Sequence, residues 1–240
     1  MHQNGPSVPQ GSGRRLYTTA AVVASLIVFA GFARSYYLKT VFGTPELPLL
    51  RHVHGLVMTL WFALFVLQTQ LVAMRRIYVH RRLGVAGALL AIVVFIVGVA
   101  TAIAGARRGA APPGGPTPLA FLAVPLGDMF VFAALVGTGL YFRRRTDIHK
   151  RLMLLSTLSM LTAAIGRIPL GFIRVSHPPV MEFALADLIV LTCVGYDTWK
   201  NRRLHPAFGW GALLIVGSHP LRLLLAGTPA WLRFATWLVG

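Results

Sequence analysis

Residues 52–98 read HVHGLVMTLWFALFVLQTQLVAMRRIYVHRRLGVAGALLAIVVFIVG, and this stretch decides the fold. Its two apolar runs, 52–74 and 83–106, contain no Asp, Glu, Lys or Arg. At ~1.5 Å of rise per residue, each is long enough to cross ~30 Å of hydrocarbon as a helix. The runs show no period-2 alternation and are too long for barrel strands. Between them sit Arg75-Arg76 and Arg81-Arg82, a short basic turn. Two apolar helices joined by such a turn form a transmembrane hairpin.

The same pattern extends outward over 16–33, 119–142, 152–166, 181–199 and 204–221. The run 119–142 contains Asp128, and 181–199 carries Glu182, Asp187 and Asp197. The run starting at 152 is expected to continue past Arg167 to about 172, since a span needs ~20 residues. The spacing therefore predicts an all-α, polytopic membrane bundle of seven transmembrane helices. Composition agrees: of 240 residues 56% are hydrophobic and 12% charged, and mean hydropathy is +0.69. A soluble domain, a disordered chain and collagen are excluded, and the single cysteine, Cys193, excludes a disulfide scaffold.

Residues 1–13, MHQNGPSVPQGSG, are expected to be a disordered cytoplasmic N-terminus, 14–227 the transmembrane domain, and 228–240 an interfacial tail at the outer surface. The first run is long for a signal peptide, so it is expected to be retained. RGAAPPGGPTP at 108–118 reads as a stiff connector.

The net charge of +17 would suggest nucleic acid in a soluble protein. Here the basic residues cluster between apolar runs, as at Arg143-Arg144-Arg145, which is the pattern of loops held against anionic lipid headgroups. The expected partner is the bilayer, not nucleic acid, and a second copy or another membrane protein stays open. With seven spans, 14 of the 23 basic residues fall on the N-terminal side. That asymmetry predicts a cytoplasmic N-terminus and an external C-terminus, in a bacterial inner membrane.

Ionisable groups inside the spans carry the functional signal, because a charge there is costly and faces the bundle interior. His54, Asp128, Arg167, Asp187, His219 and Arg222 all fall in the outer half of their helices, Asp128 roughly 13 Å down. Two readings follow. In one, Asp128 and Asp187 neutralise Arg167 and Arg222 as structural ion pairs. In the other, His54, His219, Asp128 and Asp187 hold a transition metal, although no HxxxH or ExxH pair on one helix supports it. On the same helix as His54, Met58, Trp61 and Phe65 share its face as ordinary core. Pro220, which offers no N–H to Val216, is a candidate kink beside His219.

At the inner end, His80-Arg81-Arg82-Leu83 and His149-Lys150-Arg151-Leu152 open two spans alike, and Arg203-Leu204-His205 opens another. This suggests three helical hairpins after the first helix. His80 and His149 are either headgroup contacts or ligands of one haem from opposite sides.

Over residues 51–172 the chain resembles two groups: transmembrane cytochrome b reductases, and bacterial seven-helix membrane families of unknown function sharing H…G, a late Gln and HRRLG. The cytochrome resemblance implies a b-type haem between His80 and His149, and hence an oxidoreductase. The second cytochrome pair has no counterpart, since Asp128 stands where a His opposite His54 is needed and only His219 could replace it. Two other classes remain: a lipid hydrolase using Zn-bound water, or a non-enzymatic assembly factor or transporter. Neither a P-loop nor a GxGxxG after a strand is present, which argues against nucleotide chemistry.

Overall fold

The computed structural model describes residues 11–112, 115–168 and 178–240, and every regular element among them is helical. α1 (Gly11–Phe32) runs into a π-helical turn, Ala33–Tyr37. α2 (Leu49–Ala73) and α3 (Ile77–Arg107) form the hairpin read from 52–98. A short α4 (Pro118–Phe121) leads into α5 (Ala123–Tyr141), and then come α6 (Thr146–Leu158), α7 (Thr162–Ile165), α8 (Pro178–Asn201), α9 (Pro206–Ala226) and α10 (Pro229–Val239). The expected disorder at 1–13 falls mostly on residues outside those described, but α1 already begins at Gly11.

Five helical stretches are long and apolar enough to cross a membrane: Arg15–Tyr37, Leu49–Ala73, Ile77–Arg107, Pro118–Tyr141 and Pro206–Ala226. This is compatible with an integral membrane protein. The two remaining expected spans fall short in different ways. α8 is long enough and carries Glu182, Asp187 and Asp197, and it does not stand among the five. The span expected from 152 to about 172 is broken, with α6 ending at Leu158 and α7 only four residues long; residues 169–172 lie outside those described.

The break has a local cause. Ser156, Thr157 and Ser159 turn their hydroxyls back onto their own helix, donating to the carbonyls of Met153, Met153 and Ser156 at 2.8, 3.1 and 2.9 Å. Such back-bonding competes with the backbone ladder. Just beyond, the backbone shortens to i→i+3 bonds, with Leu161 N–H donating to Leu158 and Ala164 N–H to Leu161.

α6 and α7 can be short and comparatively polar because they do not meet the lipid. Leu154, Leu155, Ser156, Thr157, Leu161 and Ala164 are completely buried. α6 packs on α1, α5, α8 and α9, while α7 packs on α1 and α8. α2 and α3 complete the bundle, lying against each other, with α2 on α1 and α3 on α5. Trp61 of α2 meets Phe132 of α5 edge-on at 4.9 Å, so the Trp61–Phe65 face is core as expected.

Two tight turns at the arginine-rich end share an unusual backbone. Arg75 after α2 and Arg202 after α8 sit at φ 59° and 55°, the only non-glycine residues with positive φ among those described. That conformation costs an L-residue about 1–2 kcal/mol, which glycine would avoid.

Candidate functional sites at the two ends of the bundle

Antiparallel packing gathers the polar groups into two layers, one at the basic end and one at the far end. The far-end layer joins α5, α8 and α9. Arg222 Nη1 donates to Asp128 Oδ1 at 2.5 Å, and Nη2 donates to Ser218 Oγ at 2.9 Å. One helical turn along α9 makes Ser218 and Arg222 neighbours. The guanidinium lies against Gly127, where any Cβ would strike its Nε and Cδ, so this glycine is what lets α9 deliver an arginine onto α5.

His219 is 2% exposed and lies beside this pair, its Nδ1 2.9 Å from Asp187 Oδ1. Its ring stacks on Phe183, centroids 4.1 Å apart and planes 8° from parallel, while the Arg222 guanidinium lies 5.9 Å from the same ring. Four of the six residues expected to converge therefore lie together, with Asp128, His219 and Arg222 buried and Asp187 half-buried at their edge. α9 passes through Pro220 as a continuous helix.

The other two stand apart. Arg167 was expected in an ion pair with one of the aspartates. Among the described residues it forms no salt bridge: Nη1 donates to Ala163 of its own chain segment at 2.6 Å, and the guanidinium lies 4.8 Å over Phe32. The break before α7 carries Arg167 toward α1, and Asp128 has already been taken by Arg222. His54 is half-buried, and its enclosed Nδ1 finds no hydrogen-bond partner. Among the described residues no three His, Cys, Asp or Glu side chains gather as a ligand set. Of the carboxylates named for a metal, Asp128 is taken by Arg222, while Asp187 Oδ1 lies 2.9 Å from His219 Nδ1 without a formed hydrogen bond.

At the basic end, the His80 and His149 rings face each other across α3 and α6, centroids 6.4 Å apart and planes inclined by 71°. The Nδ1 of His149 lies 2.8 Å from the Gly139 carbonyl. Donation there leaves Nε2 with its lone pair free, the usual arrangement of an imidazole ligand. Nδ1 of His80 is enclosed and unpartnered, as is Oε1 of Gln68 on the adjoining helix. One turn beyond His80, a Cβ on Gly84 would meet nothing closer than Gln68 Nε2 at 4.0 Å.

This end also holds a polar contact that the sequence reading missed. Arg151, counted among the headgroup-facing arginines, is 5% exposed and donates from Nε and Nη2 to Asp197 Oδ2 at 3.0 and 2.7 Å. The available signal was depth, since Arg151 near the start of α6 and Asp197 near the end of α8 stand at the same level. Beside them His205 caps α9, its Nδ1 accepting from Ala207 N–H at 3.2 Å and its Nε2 reaching Asp147 Oδ2 at 3.2 Å. Slight burial would raise the Asp147 carboxyl, but the His205 contact and local backbone N–H groups outweigh it and hold it below the usual range.

No family model, curated protein or solved structure matches this chain. The class defined by fold and site is thus a helical bundle with apolar, membrane-length helices and two buried polar layers.

Proposed function

We propose that this is a seven-helix integral-membrane redox protein that holds a b-type haem or a transition metal between His80 and His149, with the far-end network as its structural brace. The observation that carries the reading is the 6.4 Å separation of the two rings. Two imidazoles bound to one metal, with ~2.0 Å metal–nitrogen bonds and ring centres about 1 Å further out, sit roughly 6 Å apart. The Gly139 carbonyl accepting from His149 Nδ1 supports it further. His80 and His149 would hold the group through ring nitrogens, and Gly139 would orient the His149 ring through its carbonyl. Arg81 and Arg82, which follow His80, would offer charge to carboxylate substituents at the membrane surface. When bound, such a group supplies one-electron transfer at the basic end.

We place that end in the cytoplasm of a bacterial inner membrane, on the strength of the 14-to-9 division of basic residues. α6–α7 and α8 count as spans in this reading, because burial relieves α6–α7 of the apolarity that lipid demands. The deciding experiment is an absorption spectrum with elemental analysis of the detergent-purified protein. A Soret band, or one equivalent of metal, lost in both His80→Ala and His149→Ala is the expected result. Absence of both from folded wild-type protein would reject the redox reading.

A further inference from the structure

The last turn of α8 and the residue turn after it surround a partly open hollow of about 260 Å³, lined by Tyr196, Trp199, Lys200 and Arg202. We propose that this hollow binds the phosphate headgroup of an anionic phospholipid, with phosphatidylglycerol as the simplest case. The hollow is separate from His80 and His149 and does not depend on what they hold.

Its chemistry is one-sided. Two cations line it and no carboxylate does. The nearest acid in sequence, Asp197, is turned inward and committed to Arg151. Lys200 Nζ lies 6.0 Å from the Tyr196 ring, and the Tyr196 and Trp199 rings lie 6.1 Å apart. Trp199 is two-thirds exposed, at 67%, on the terminal turn of a membrane-length helix. An aromatic pair with a polar edge belongs at headgroup depth, and basic hollows there suit lipid phosphate. At about 30 Å³ per water, the hollow has room for a phosphate and several waters.

The backbone adds a second, independent argument. Arg202 occupies a left-handed position, φ 55°, where glycine would serve the turn without strain. Arg202 thus lines the hollow from a backbone position that glycine would fill without strain.

The test uses the full chain, purified in non-ionic detergent and stripped of lipid, with thermal melts and native mass spectrometry. Phosphatidylglycerol is expected to raise the melting temperature by a few degrees and to remain bound, whereas phosphatidylcholine and inorganic phosphate do neither. In Lys200→Gln/Arg202→Gln that increment disappears. Arg202→Gly is the stronger variant: relief of strain gives it a higher melting temperature without lipid, yet it gains nothing from phosphatidylglycerol. Arg75→Gly, relieved in the same way, keeps the full increment. The proposal is overturned if inorganic phosphate or phosphatidylcholine matches phosphatidylglycerol. It is equally overturned if the Lys200 and Arg202 variants retain the increment, or if Arg75→Gly loses it too.

Discussion

Arg222 shows what a single side chain does when its charge cannot reach water. It fills the space left by Gly127, satisfies Asp128 and holds Ser218. Removing it strands a buried carboxylate, at a cost of about 3–5 kcal/mol, whereas replacing both partners with apolar groups removes the desolvation problem along with the attraction. Arg222→Met is therefore expected to destabilise the detergent-solubilised protein strongly, and Asp128→Leu in the same chain to recover most of the loss. A double variant no better than the single one in chemical denaturation would show that the pair is not what holds α5 to α9. At the surface the sign can be worked out for Asp147. Its folded carboxyl titrates below its unfolded value, so its contribution is complete above the unfolded pKa of about 3.9 and is lost as pH falls through the folded one. Asp147→Asn should flatten the decline in melting temperature as pH falls below about 4. An unchanged decline would assign the acid sensitivity to other groups.

Among the elements, α6–α7 is where sequence and structure part company. Run length predicts one continuous span from 152, and hydropathy has no means of seeing three hydroxyls in four residues, Ser156, Thr157 and Ser159, folding back on their own carbonyls. A central position also removes the need for the unbroken apolar surface that marks a span in sequence. The far-end network was legible for the opposite reason: Asp128, Asp187, His219 and Arg222 are rare charges in apolar runs, so depth alone aligned them. Arg167 was misread because its direction depends on the break. The same break brings α7 against α1, where a Cβ on Gly31 would run into the backbone of Ala164. Gly31→Ala is expected to lower stability by about 1–3 kcal/mol through overpacking. Gly137→Ala, which meets nothing within 4 Å, should be neutral or gain up to about 1 kcal/mol from helix propensity. Equal effects of the two in thermal melts would dispose of the close α1–α7 contact.

For the whole molecule, the arrangement is a surround of apolar helices about a more polar pillar, with charge sorted to its ends. The hairpin at 52–98 and the contacts of α6 with α1, α5, α8 and α9 follow from one economy: apolarity is concentrated where lipid is met, and polarity where other helices cover it. The proposed seven crossings would place the two termini on opposite sides. A reporter active only in the cytoplasm should be silent at the C-terminus and active at the N-terminus. Activity at both termini would require an even number of crossings, and activity at the C-terminus alone would invert the placement of both polar layers. Arg151–Asp197 at one end and Arg222–Asp128 at the other each pair groups from the same end, which fits antiparallel neighbours.

α10 folds back over the α3–α4 connection. Trp231 Nε1–H donates to the Leu119 carbonyl at 2.9 Å, Arg107 Nε–H donates to the Val239 carbonyl at 2.7 Å, and Ala235 is fully buried beneath Leu122 and Leu126. Both latched residues, Leu119 and Arg107, are made more than a hundred residues before their partners. During biogenesis the far end of the bundle must therefore wait, α3 and α4 already made but unclasped, until α10 has left the ribosome. Translation order thus makes that corner the last to close, and the one most open to proteases and quality control while the nascent chain is still growing.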